Sequence, residues 1–199
     1  MKLLLATRNR DKVREIRSVL ADLNVELLCA ADMPDLPEVE EDADTLEGNA
    51  IKKALTLHQL TGLPTLADDT GLEVEALGGV PGVYSSRYAG PGATYDDNVQ
   101  KLLQAMRDVP TSRRQAQFRT VVAFAHDGNV ETVEGVCRGV ITTEPRGSNN
   151  FGYDPIFFVP ELGKTMAEMT LAEKNRISHR GKAFREIKKN LTNYLSRSR

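Results

Sequence analysis

Two carboxylates stand side by side at Asp68 and Asp69, within Ala67-Asp68-Asp69-Thr70-Gly71. Adjacent carboxylates repel and need a cation or a set of donors to sit together. Mg²⁺ is held by one or two carboxylates plus phosphate oxygens, so such a pair at the end of a short strand suits a metal–phosphate site. A polar turn in which Gly71 supplies a positive φ would use the same residues. Glu38, Glu40 and Glu41 lie in an acidic loop that could add a metal ligand, or be solvated. Cations occur in two places. Thr7-Arg8-Asn9-Arg10-Asp11-Lys12 joins a short apolar run to a helical pattern, where free N–H groups and the positive dipole end meet a phosphate. An N-capped turn with surface bases would look the same. Lys174, His179 and Arg180 cluster around the start of the last helical pattern, with Ser178 as its N-cap. Cations are unfavourable there unless an anion is present, a hint of an anionic ligand. Phe151-Gly152-Tyr153-Asp154-Pro155 offers two aromatics and a carboxylate. They could stack and read a base, at about 1–3 kcal/mol per stacked base, or form a turn whose aromatics join the core. A phosphate cradle, an acidic metal corner and an aromatic, basic pocket make the inventory of a nucleotide site.

The elements that must position these residues read as follows. Residues 2–6 form a buried strand, and Val13, Ile16, Leu20 and Leu23 share one helical face with Arg14, Glu15 and Arg17 elsewhere. A second strand at 25–29 completes a βαβ-like opening. Residues 32–44 are an acidic, proline-bearing loop. A helix starts near Thr45 and ends at Gly62. Short strands follow at 64–67 and, by alternation, at 72–77. A glycine- and proline-rich loop leads to a helix begun by Thr94 and Asp97. Runs at 117–125 and 130–137 flank Asp127-Gly128, a strong hairpin signal. A strand at 156–159 and a last helix from Ser178 to Leu195, with Ala183, Phe184, Ile187, Leu191 and Tyr194 inward, close the chain. The mixture predicts an α/β protein with a mixed sheet, since the hairpin argues against a purely parallel one.

The chain has 199 residues, 40% hydrophobic and 27% charged, an ordinary globular balance that one domain can use. A net charge of −2 gives no footprint for polymeric nucleic acid. The two cysteines, Cys29 and Cys137, sit in apolar runs without zinc spacing and read as reduced, buried thiols. No run approaches the ~18 apolar residues of a membrane span, and the N-terminus has no signal-peptide core, so a cytoplasmic location is expected.

Segments 5–12 (LATRNRDK), 45–54 (TLEGNAIKKA), 67–90 (ADDTGLEVEALGGVPGVYSSRYAG), 151–158 (FGYDPIFF) and 173–184 (EKNRISHRGKAF) together resemble the Ham1/RdgB family of inosine/xanthosine triphosphate pyrophosphatases (ITPases, dITP/XTP pyrophosphatases) over nearly the full length. The resemblance implies a single domain over 1–199: an elongated, two-lobed mixed-sheet α/β fold with the active site in the cleft between lobes. It implies a homodimer that uses Mg²⁺ and hydrolyses ITP, dITP, XTP and dXTP between the α- and β-phosphates, cleansing the nucleotide pool. It maps the phosphate-binding motif to Thr7, Asn9 and Lys12, within a substrate-binding segment Thr7, Arg8, Asn9, Arg10, Asp11 and Lys12, and adds Lys53 and Thr70 to the substrate-binding residues. It places the metal on Asp69 and on Glu41 or its neighbour Glu40, and makes Asp69 the proton acceptor. It places the base on Phe151, Gly152, Tyr153, Asp154, Lys174, His179 and Arg180. The chain departs from the commonest pattern at Gly48, Thr70 and Asn150.

On this reading Asp69 orients and deprotonates a water that attacks the α-phosphorus, while Lys12 and Lys53 stabilise the departing pyrophosphate. Arg180 and N–H groups near Phe151 donate to a 6-keto oxygen, which adenine lacks. Two other readings share part of the inventory: a Maf-type pyrophosphatase, against which Phe151–Pro155 and Ser178–Arg180 speak, and a nucleotide sensor without turnover.

Overall fold

A computed structural model describes residues 1–197. Among these, five α-helices and eight strands alternate in a mixed α/β order. The chain opens β1 (Lys2–Leu5), α1 (Arg10–Val19), β2 (Glu26–Cys29), α2 (Leu46–Thr61), β3 (Thr65–Val74), β4 (Pro81–Gly82) and α3 (Tyr95–Ala105). It continues β5 (Gln115–His126), β6 (Asn129–Ile141), β7 (Phe157–Val159), β8 (Lys164–Thr165), α4 (Leu171–Ile177) and α5 (His179–Arg197). The open sheet runs β2-β1-β3-β5-β6-β7-β8, with β4 paired to β3. β1 pairs parallel with β2 and with β3, and the later pairs β6–β7 and β7–β8 are antiparallel, so the sheet is mixed as predicted. The Asp127-Gly128 hairpin forms with both φ values positive, 45° and 75°, as a two-residue primed turn requires. None of the described helices is long and apolar enough to cross a membrane.

The chain forms two compact units. Among the described residues the first holds 1–69, 120–135 and 178–197, the second 70–119 and 136–177. The first unit's core gathers Leu3, Leu5, Ile16, Leu20, Leu66, Val122, Phe124, Phe184 and Ile187. Here α1 packs on α5. Gly135 of β6 lets the start of α5 press against the strand: a Cβ there would lie 2.1 Å from the His179 carbonyl oxygen. The second unit's core is built on Leu72, Val74, Val99, Leu102, Phe118, Ile156 and Phe157. Within it Arg114, 3% exposed, clasps the end of α3 to the end of β6 through the carbonyls of Met106, Val109, Ile141 and Thr142.

Several expectations change. The strands expected at 64–67 and 72–77 are one strand, β3, which ends at Val74 in a short 3-10 turn. Asp68 and Asp69 therefore lie mid-strand rather than at a strand end. Gly71 is there for space, not for a positive φ: a Cβ would stand 2.7 Å from the Gly82 carbonyl oxygen on β4. Glu15, expected on the polar face of α1, is 1% exposed. Finally, Leu171–Ile177 forms a helix of its own, capped by Thr170 and Glu173.

Candidate active site

In the first unit, β1 ends just before Thr7 and the chain turns into α1. The Asn9 side chain caps that helix, accepting from the N–H groups of Asp11 (3.0 Å) and Lys12 (3.1 Å), while Thr7 Oγ1 accepts from the Asn9 N–H (3.2 Å). The N–H groups expected to be open to a phosphate are thus already bonded at Asp11 and Lys12. Arg8 and Arg10 point elsewhere: Arg8 donates to the Leu36 carbonyl, and Arg10 pairs with Asp32 at 2.6 Å. Lys12, by contrast, turns inward to Asp68, with Nζ 3.0 Å from Oδ2.

Alternation along β3 gives Asp68 and Asp69 different surroundings, and the two carboxylates diverge accordingly. Asp68 is 2% exposed. Arg180 meets its Oδ2 through both Nε and Nη2 at 3.2 Å. Burial alone would neutralise Asp68, but the charges of Lys12, Arg180 and Lys53 outweigh it and hold the carboxyl far below the ordinary range. Asp69 is pushed up instead. Its burial is the largest cause and the Glu41 charge adds to it, against Lys53, Lys12 and a hydrogen bond from Asn49.

Glu41 hydrogen-bonds to Lys53, whose Nζ also stands 3.7 Å from Asp69 Oδ1 and 2.7 Å from the Asp68 carbonyl oxygen. Burial opposes the Glu41 charge, but Lys53 overcomes it and leaves the carboxyl lowered. Lys53 loses by burial and gains more from Asp69, Glu41 and Asp68, so its ammonium is stabilised. Glu40 is exposed, whereas Glu41 is half-buried. One ammonium reaches two carboxylates here, an all-oxygen donor set that fits a hard divalent cation. Among the described residues no three or more Asp, Glu, His or Cys side chains gather to hold a metal by themselves. Phosphate oxygens would have to complete such a shell.

Arg180 differs most from expectation. Expected to read a base, it is 2% exposed, with Nη1 on Glu15 Oε2 at 2.7 Å and the rest of its fork on Asp68. The neighbouring His179, also 2% exposed, begins α5, and Ser178 caps that helix through the Gly181 N–H at 3.1 Å.

The base-pocket residues of the second unit divide into surface and core. Phe151 is half-buried, edge-on to Tyr95 with ring centroids 5.5 Å apart and with Lys174 Nζ 4.8 Å from its centroid. Gly152, at φ 56°, turns the chain inward. Tyr153 is therefore no stacking platform. It is 4% exposed in the core, and its hydroxyl donates to the Ser85 carbonyl at 2.9 Å. Asp154 and Lys174 form a buried ion pair behind Phe151. In the same unit Thr70 follows the two aspartates, half-buried, and Ser85 Oγ accepts from the Leu72 N–H at 2.8 Å.

Two neighbours of the carboxylates escaped sequence reasoning, Glu15 and Asn49. Asn49 and Lys53 share the buried stripe of α2 with Leu46, Ala50, Ala54 and Leu57. Polar residues at core spacing were the available signal. Glu15 lies three residues after Lys12, on the same helical surface.

The geometry can be set beside known proteins. A family profile described as the Ham1 family matches residues 3–190. A protein of Geobacter sulfurreducens named dITP/XTP pyrophosphatase is 50% identical over 191 residues, 96% of each chain. A solved HAM1 protein from Coxiella burnetii superposes with a TM-score of 0.87 at 42% identity, over 97% of this chain and 99% of that one. The Ham1 protein of Staphylococcus aureus gives 0.85 at 35% identity, over 98% and 100%. Profile, sequence and fold agree over nearly the whole length, and the chain belongs to the Ham1 family.

Proposed function

We propose that this chain is a Mg²⁺-dependent nucleoside-triphosphate pyrophosphatase that hydrolyses ITP, dITP, XTP and dXTP to the monophosphate and pyrophosphate. One observation carries the reading: two adjacent carboxylates on β3 meet different partners, Asp68 Oδ2 lying 3.0 Å from Lys12 and 3.2 Å from Arg180, and Asp69 lying 3.0 Å from the Asn49 amide and 3.7 Å from Lys53. Environments that separate a carboxylate pair in this way assign a fixed charge to one and proton-transfer work to the other. Asp68 is the fixed charge that anchors Lys12 and Arg180. Asp69 accepts the proton from a water as its oxygen bonds to the α-phosphorus. The bond from that phosphorus to the bridging oxygen breaks, and pyrophosphate leaves with the electron pair.

Lys12 and Lys53 lie beside the carboxylates and face the charge that grows on the leaving group. Thr7, Asn9 and the Thr70 hydroxyl complete the phosphate contacts. Mg²⁺, when bound to Asp69 and Glu41, would neutralise phosphate charge and polarise the phosphorus. Charge supports its need. Glu15, Glu41, Asp68 and Asp69 face Lys12, Lys53 and Arg180, which leaves the cluster one charge negative and repulsive to a bare triphosphate.

Phe151 offers a face to the purine and the Gly152 backbone an edge contact. Arg180 acts as the strut for Asp68 and Glu15 rather than as the donor to the 6-keto oxygen. Resemblance to the family supports a single functional domain, a homodimer and a cytoplasmic location.

Pyrophosphate release from ITP, XTP, GTP and ATP, with and without Mg²⁺, tests the reading. ITP and XTP should turn over with Mg²⁺ and ATP should not, and Asp69→Asn should be inactive yet folded. Equal kcat/KM for all four nucleotides, or wild-type turnover by the Asp69 variant, would overturn it.

A further inference from the structure

We infer that Asn49 is a positioning residue that ties the two proposed metal carboxylates together and sets how Asp69 presents its oxygens. The inference rests on the pyrophosphatase reading above. Asn49 is fully buried in α2. Its Oδ1 accepts from the Ala43 N–H at 2.9 Å, and its Nδ2 donates to Asp69 Oδ2 at 3.0 Å. The backbone N–H of Ala43 can only donate, so the amide has one workable orientation, with its NH₂ on Asp69. Oδ2 is thereby engaged as an acceptor. Oδ1 faces Lys53 at 3.7 Å, beyond hydrogen-bond distance, and keeps both lone pairs for a metal or a water where Oδ2 keeps one. The other end of the amide holds Ala43, two residues from Glu41. One side chain thus sets both the rotation of Asp69 and the path of the loop that delivers Glu41. Partners of metal-binding carboxylates act in this way, and their loss weakens metal affinity or activity by roughly 10–100-fold.

Asn49→Ala removes both bonds in a residue type that α2 accepts. The Mg²⁺ concentration for half-maximal pyrophosphate release should rise by roughly 10-fold or more, while KM for ITP at saturating Mg²⁺ stays within about 2-fold. A loss of folded protein alone would lower the rate and leave the Mg²⁺ dependence untouched. The rise in melting temperature that Mg²⁺ and a non-hydrolysable ITP analogue together give the wild type should shrink in the variant at equal concentrations. Should Asn49→Ala not fold, the wild-type protein still answers. Its Asn49 side-chain amide should give one exchange-protected NH₂ proton by NMR, and that signal should move in Asp69→Asn. An unchanged Mg²⁺ dependence in a folded Asn49→Ala, or an amide signal indifferent to Asp69→Asn, overturns the inference. Wild-type protein that releases no pyrophosphate from ITP would instead sink the pyrophosphatase reading.

Discussion

Asp68 and Asp69 are covalent neighbours, yet β3 turns one toward Lys12 and Arg180 and the other toward Asn49 and Lys53. The period-two geometry of a strand makes the difference, since successive side chains face opposite sides. Burial likewise separates exposed Glu40 from Glu41, which the sequence alone left as alternatives. Buried charges of the second unit carry stability. Asp154 and Lys174 are 3% and 2% exposed and paired, and breaking a buried pair leaves a charge with no counter-ion. Asp154→Asn should therefore cost about 3–5 kcal/mol, read as a lower denaturant midpoint with an unchanged slope. A loss within about 0.5 kcal/mol, on the scale of an ordinary surface substitution, would show that the pair is not held as described.

At the scale of elements, α5 delivers Arg180 because its first turn lies against Gly135. In Gly135→Ala the new methyl meets a backbone oxygen, which cannot rotate away. Overpacking of this kind costs about 1–3 kcal/mol, and it should displace Arg180 and lower turnover beyond the effect on folding. Wild-type stability and activity together would show that the contact is not tight. The helix α4 is fixed by a surface cap. Glu173 accepts from Lys164 and from the Thr170 N–H and hydroxyl, which lowers its carboxyl to about 2 from an ordinary 4.5. A lowered folded-state value means stability that is complete above the unfolded value and lost as pH falls through the folded one. Glu173→Gln should thus melt below the wild type at about pH 7. The gap should narrow between pH 4.5 and about 2 and vanish below. A gap that does not change with pH would remove the charged cap from the account.

For the whole molecule, two hydrophobic cores are built on strands that both units use, since β3, β5 and β6 each contribute residues to both. Ile187→Ala in the first core and Leu102→Ala in the second should each cost about 2–5 kcal/mol and move one common melting transition. Two resolved transitions, each sensitive to one substitution, would show independent units instead.

The sequence alone located most of the helices and longer strands, the hairpin at Asp127-Gly128, the helix starts at Thr45, Thr94 and Ser178, and the segments that carry the candidate site. These are local: periodicity, turn chemistry and capping act over a few residues. Its turn into α1 singled out Lys12, and its resemblance to the family singled out Asp69 and Lys53. Only the tertiary structure decided that Glu15 and Asn49 belong to the same cluster, that Arg180 is a buried strut and that Tyr153 is core. Those outcomes depend on which distant side chains share a low-dielectric interior, where a charge persists only with a partner. Arg180 and Glu15 are 165 residues apart, and no local pattern encodes their meeting.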